Sequence, residues 1–182
     1  MDTMIKPFSS DIPELRRRAA EHLEDGAVTD NYGGDAKQSV EILQTALASE
    51  IVCVLRYTMH AIAATGLTSD GPKEEFVQHA AQEQQHMMQL AERINQLGGR
   101  PNFNPKGLAG RAASQYGDAV TVIEMIRENL VAERIAVAHY REMIAYFADK
   151  DPTTRALLES ILAVEEEHAN DMHDLLTTHQ GK

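Results

Sequence analysis

Two short stretches carry the residue types best suited to chemistry, Glu83-Gln84-Gln85-His86 and Glu165-Glu166-Glu167-His168. Residues three apart on a helix share a face, so each stretch presents one carboxylate beside one imidazole. Each is preceded by a second matched segment. LASEIVCVLRY at 47–57 matches LVAERIAVAHY at 130–140, which aligns Glu50 with Glu133 and Tyr57 with Tyr140. The separation from Glu50 to Glu83 differs by a single residue from that between Glu133 and Glu165. At ~1.5 Å of rise per helical residue, antiparallel hairpins would set Glu50 level with Glu83 and Glu133 level with Glu165.

Four carboxylates at one level of a helical bundle repel one another and lose hydration, a serious cost unless something neutralises them. Two divalent cations would balance the four glutamates, and two imidazoles would complete the ligand set without adding charge. Each metal then takes one terminal glutamate and one histidine, with Glu83 and Glu165 bridging. Carboxylates with imidazoles suit iron or manganese. A lone Glu-x-x-His is commonly a solvated helix face, whereas two, each with a matched Glu and Tyr, point to ligands. Apolar neighbours (Val77, Ala80 and Leu90; Ile161, Val164 and Leu175) place both pairs facing inward.

Four long helices must hold these residues. Apolar spacing at Val40, Leu43, Leu47, Val54 and Ile62 marks a first helix over 36–64. TGLTSDGP ends it, Pro72 suits the first turn of a second helix, and Gly98-Gly99 with Pro101 stops that one after Leu97. Asp118 is a good N-cap for a third helix to about Ala148, and Asp151-Pro152-Thr153-Thr154 caps a fourth to about Thr178. Short turns make each successive pair a hairpin. The connection over 99–117 can reach ~60 Å extended, enough to cross a ~40 Å helix. The expected fold is therefore all-α, an antiparallel four-helix bundle over 36–182 with one long crossover between helices two and three. Residues 1–35 form an N-terminal extension, with a short helix over 13–23 that Gly26 and NYGGD terminate.

Composition agrees and excludes several classes. Apolar residues make up 43% and aromatics 5%, with no Trp, which favours helix over strand. The formal net charge of −11 argues against nucleic acid as a partner. The RRR at 16–18 does not reverse this, because residues 1–35 hold four basic side chains against eight acidic ones. No uncharged apolar run reaches the ~18 residues of a membrane span, and the start lacks the apolar stretch of a secretory signal. One cysteine, Cys53, excludes an intrachain disulfide and suits a cytoplasmic protein.

At the Glu, His and Tyr positions above, and over 36–178, the chain resembles the ferritin-like di-iron proteins, most specifically bacterioferritin. The resemblance implies that Glu50, Glu83, His86, Glu133, Glu165 and His168 are intrasubunit ferroxidase ligands for two iron ions, with manganese the alternative. Tyr57 matches the family's tyrosine beside the metals, placed to hydrogen-bond there or supply an electron. The implied activity is oxidation of Fe²⁺ by O₂ or H₂O₂, with Fe³⁺ stored in a homo-oligomeric shell.

Three departures refine this expectation. Gln84 stands where bacterioferritin has its haem-ligating Met, and Met87 and Met88 are out of register, so no haem is expected. Residues 169–182 are too few for the fifth helix of twenty-four-subunit ferritins. The N-terminal extension is similar to that of Dps-like mini-ferritins, whose usual shell has twelve subunits, although typical Dps sites lie between subunits. The mixture favours a twelve-subunit shell with a bacterioferritin-type site. The rival readings are a manganese catalase or a rubrerythrin-like peroxidase, which lacks its cysteine-rich domain here, and a DNA-protecting shell. His22, His60, His79, His139, His173 and His179 lack the paired pattern and are expected at the surface or in packing. Cys53 is expected to be buried and inert, and Glu166 and Glu167 to face solvent or stand behind the ligands.

Overall fold

Helix starts in this chain are marked by side chains that accept backbone amides. In the computed structural model, which describes residues 8–66 and 69–180, Asp11 accepts from Glu14 N–H to open α1 (Ile12–Arg18). Asp35 does the same for Gln38 at the start of α2 (Ala36–Ala63), and Asp151 for Thr154 at the start of α6 (Pro152–Gln180). Between α2 and α6 come α3 (Asp70–Gln96), the one-turn α4 (Leu108–Arg111) and α5 (Val122–Phe147). All regular structure among the described residues is helical. The expected helix over 13–23 is shorter: α1 ends at Arg18, and a 3₁₀ turn at Leu23–Asp25 follows. Leu67 and Thr68, in the expected first turn, lie outside the described residues.

The start of α5 differs from the sequence expectation. Asp118 is not its cap. Thr121 Oγ1 accepts from Glu124 N–H while the Glu124 carboxylate accepts from Thr121 N–H, a reciprocal capping box that fixes the start three residues later. At the far end of α3, Gly98 adopts φ +78°, a left-handed conformation that lets Gly99 N–H return to Ile94 C=O. A Cβ on Gly99 would stand 2.7 Å from both Val40 methyls, so glycine permits the close approach of this turn to α2.

α2 pairs with α3 and α5 with α6, and the two hairpins meet along α2–α5 and α3–α6. The connection over 97–121 runs along α2. Gln44 holds Arg100 and Asn102, the Ser49 hydroxyl accepts from Ala113 N–H, and Arg56 donates to Gln115 C=O. This is the long crossover of a bundle built from two hairpins.

The interior is stacked in three layers. Leu43, Leu47, Leu90, Ile94, Phe147, Leu158 and Ile161 form one apolar core. Tyr57, Phe76, Met125, Ile126 and Met172 form another. On every main helix the glutamates of the repeat fall between the two: Glu50 between Leu47 and Tyr57, Glu83 between Phe76 and Leu90, Glu133 between Ile126 and Tyr140, and Glu165 between Ile161 and Met172. Two expected core positions face outward instead, since Ile62 is 77% and Val77 61% exposed. Phe76 and His79 take the inward face of α3 that Val77 was expected to share. Helical periodicity sets a face only to within a residue or so, and these two lie just past its edge.

By length and a mean hydropathy of 1.3 over an 18-residue window, α2 could cross a membrane. It nevertheless buries Glu50 and Arg56 inside the bundle, which marks it as a core helix.

The end of the bundle below the first core is fastened by a buried ion pair. Arg93 on α3 donates twice to Asp151 at 3.0 Å, and Asp151 also accepts from Tyr32 and Thr154. Removing one partner of such a pair leaves an uncompensated buried charge, at a cost of about 3 kcal/mol. Arg93→Ala is expected to lower the thermal midpoint by about 8 °C, measured by circular dichroism, without changing metal stoichiometry.

Candidate metal centre

The polar layer brings all six candidate ligands together. Glu50 comes from α2, Glu83 and His86 from α3, Glu133 from α5, and Glu165 and His168 from α6, and none is more than 5% exposed. Glu50, Glu83, His86 and Glu165 each offer a donor atom within 4.8 Å of the others. Glu83, Glu133, Glu165 and His168 form a second group of the same kind. Glu83 and Glu165 belong to both, the position a bridging pair must occupy.

The inward-facing atoms are orphaned. Glu50 Oε2, both Glu83 oxygens, Glu133 Oε2, Glu165 Oε1, His86 Nδ1 and His168 Nδ1 are buried without a hydrogen-bond partner among the described residues. Such groups are rare in folded proteins and call for an ion or another occupant. His86 Nδ1 stands 2.8 Å from Glu165 and 3.4 Å from Glu83, and His168 Nδ1 stands 3.4 Å from Glu83. His168 Nε2 lies 3.0 Å from Gln82 Oε1; donating there leaves Nδ1 as a lone-pair donor for a metal. A set of four carboxylates and two imidazoles fits two divalent cations of intermediate hardness.

Charge at the centre is unbalanced without a cation. Burial, with Glu83 alongside, pushes the Glu50 and Glu165 carboxyls well above the usual range, and Glu133 also rises. Burial pushes Glu83 upward too, but Glu50, His168 and His86 around it overcome that and hold it below the usual range. Burial opposes charge on His86, yet Glu165, Glu50 and Glu83 together raise its pKa to about 12.

Two tyrosines bind the carboxylates crosswise. Tyr57 on α2 donates to Glu133 on α5, while Tyr140 on α5 donates to Glu50 on α2 at 2.5 Å. The sequence repeat matches Tyr140 to Tyr57 but assigns a role to Tyr57 alone. Arg56 was missed. It is 1% exposed and donates to Asn129 Oδ1, while Asn129 contacts His60 Nδ1 at 3.1 Å.

His60 and His79 are fully buried, His139 is half-buried and His22 and His173 are exposed. His79 touches the Tyr57 hydroxyl through Nδ1 at 3.1 Å and stacks on His168, with ring centroids 3.9 Å apart. Desolvation and the adjacent His168 push its pKa down to about 3. Cys53 is buried, and burial pushes its pKa well up, which keeps it a thiol. Glu166 and Glu167 face solvent, Glu166 pairing with Arg141 at 2.6 Å. Gln84 is on the outer face of α3, and Met88 is half-exposed.

The chain matches the ferritin-like domain model over residues 40–181 and belongs to that family. It is 31% identical over 91% of its length, and 86% of the relative's, to the DNA protection during starvation protein of Pyrococcus furiosus. A bacterioferritin-related, dodecameric thioferritin of Bacteroides fragilis superposes with a TM-score of 0.77 at 32% identity, covering 80% of this chain and 88% of that one. A more distant branch is also similar: the 3-demethoxyubiquinol 3-hydroxylase of Legionella pneumophila is 29% identical over 85% of this chain and 71% of its own length.

The surrounding glutamates favour a proton on His86, and burial favours protonation of the raised carboxyls; a bound cation would displace these protons. Affinity for Zn²⁺ is therefore expected to rise with pH through the neutral range. Titration in weakly buffered solution should show proton release on binding, and pH-independent affinity with no release would contradict the arrangement.

Proposed function

We propose that this protein is a ferroxidase that stores and detoxifies iron, acting at a di-iron site within one subunit. The observation that carries the reading is the set of orphaned donor atoms shared by two overlapping groups, with Glu83 and Glu165 common to both. Two Fe²⁺ are the substrate. Glu50 and His86 would hold one, Glu133 and His168 the other, and Glu83 and Glu165 would bridge them; Mn²⁺ could take the same ligands. The two ions supply the two electrons that convert O₂ to H₂O₂, or H₂O₂ to water, and Fe³⁺ passes on for storage.

The chain's own residues orient and exclude. Tyr57 and Tyr140 fix the outer oxygens of Glu133 and Glu50, so the inner oxygens point to the metals. The apolar cores on both sides exclude water and strengthen each electrostatic contact. Tyr57 is also placed to supply an electron when only one iron remains.

We infer a homo-oligomeric shell of twelve copies in the cytoplasm. The dodecameric relative supports this, as do the exposed apolar side chains Ile62, Val77, Val120 and Val131, which contact between copies would cover. The Pyrococcus relative is named for DNA protection. In this chain, with a net charge of −11, we assign protection to removal of iron and oxidant rather than to binding DNA.

Loading apoprotein with Fe²⁺ anaerobically and then admitting O₂ or H₂O₂ tests the function. Storage is expected to appear as oxidation followed by iron accumulation well beyond the ligand sites, within a particle of shell mass. Metals that bind tightly with no further accumulation would move the assignment to a di-metal redox enzyme, such as a peroxidase, a manganese catalase or a hydroxylase like the Legionella relative. Glu83→Ala removes a ligand from both metals and is expected to reduce Fe²⁺ oxidation to the protein-free rate. An unchanged initial rate would overturn the site assignment.

A further inference from the structure

Just outside the six-ligand centre, Glu75, His79 and Asp171 bring three more donor atoms within 4.8 Å of one another. Glu75 and His79 lie one turn apart on α3, and Asp171 is one turn beyond His168 on α6. His79 Nε2 stands 3.6 Å from Glu75 Oε2 and 3.4 Å from Asp171 Oδ2. Neither carboxylate has a Lys or Arg within 4.0 Å among the described residues.

The hydrogen-bond chain behind His79 decides what its outer nitrogen offers. Tyr57 gives its proton to Glu133, so its oxygen can accept from His79 Nδ1–H. Nε2 is the atom the ring presents to the two acids. A fully buried imidazole thus aims one nitrogen between two carboxylates, in hydrogen-bond contact with Asp171 at 3.4 Å and with Glu75 left at 3.6 Å, and one nitrogen cannot satisfy both. A cation supplies what is missing. One imidazole with two carboxylates suits Fe²⁺, Mn²⁺ or Zn²⁺, which need ligand atoms about 2.0–2.2 Å away and only a small inward movement of the two half-exposed acids.

Position adds a role. The Glu75 and Asp171 side chains are 37% and 34% exposed, whereas His79 is fully buried and stacks flat on His168. The group therefore spans the distance from solvent to the ligand layer. We propose that Glu75, His79 and Asp171 form a third divalent-cation site, which captures Fe²⁺ at the solvent side and delivers it past His168 to the di-metal centre. The binding site stands on its own geometry; the delivery role rests on the ferroxidase reading.

Equilibrium dialysis of the assembled protein against Zn²⁺ separates these claims. Wild type is expected to bind one more tight Zn²⁺ per chain than the Glu75→Gln/Asp171→Asn double variant. Equal stoichiometry would overturn the third site. Glu83→Ala should keep that additional ion while losing Zn²⁺ at the centre, so retention of all Zn²⁺ by Glu83→Ala would count against the di-metal reading and leave the third site intact. For delivery, the double variant should need several-fold more Fe²⁺ for half-maximal oxidation while reaching the same maximal rate. An unchanged half-saturation would overturn the delivery role.

Discussion

Four carboxylates forced to one level of a water-excluded bundle are the constraint on which the rest of this structure depends. Two unit charges ~4 Å apart interact by about 4 kcal/mol at an effective dielectric of ~20, and each ion removed from water costs several more. His86, whose pKa the surrounding glutamates raise to about 12, answers only part of that charge. The seven buried atoms without hydrogen-bond partners among the described residues are the visible residue of that imbalance. The apolar layers on either side make it unavoidable, because they leave the glutamates nowhere to turn. Cations bound at this level would remove a penalty that the metal-free bundle must carry, which would link metal binding to folding.

Everything near the centre follows the two-hairpin arrangement. Each hairpin contributes two glutamates and a histidine to the polar layer, and each sends a tyrosine across to a glutamate of the other, Tyr57 to Glu133 and Tyr140 to Glu50. These crossed bonds tie α2 to α5 at two heights and fix the carboxylate orientation. The symmetry is broken on one side. Beyond Tyr57 the chain continues through His79 to Glu75 and Asp171, whereas beyond Tyr140 the wall is the apolar core of Met143 and Phe147. On the His168 side, the half-exposed Glu75 and Asp171 carry that chain to solvent.

The clustering of Glu50, Glu83, His86, Glu133, Glu165 and His168 was legible from sequence because helix geometry converts i, i+3 spacing directly into a shared face, and because the pattern occurs twice. Hairpin lengths then fixed the relative heights. What escaped had partners remote in sequence. Nothing local to His79 announces Asp171, nothing near Arg56 announces Asn129, and Tyr140 gains meaning only once α5 lies against α2. The start of α5 was misplaced because Asp118 and Thr121 are both capable caps, and the carboxylate of Glu124 decides between them. Ile62 and Val77 show a different limit: periodicity identifies an apolar residue, not the surface that covers it.

Family membership and geometry meet in one claim, that Glu83 and Glu165 bridge two metals within a single subunit. Anomalous diffraction from crystals of the protein soaked anaerobically with Mn²⁺ tests it directly. The account expects two peaks about 3.5–4 Å apart, flanked by His86 and His168, with the two glutamates between them. A single peak, or peaks held by residues of two different subunits, would contradict it.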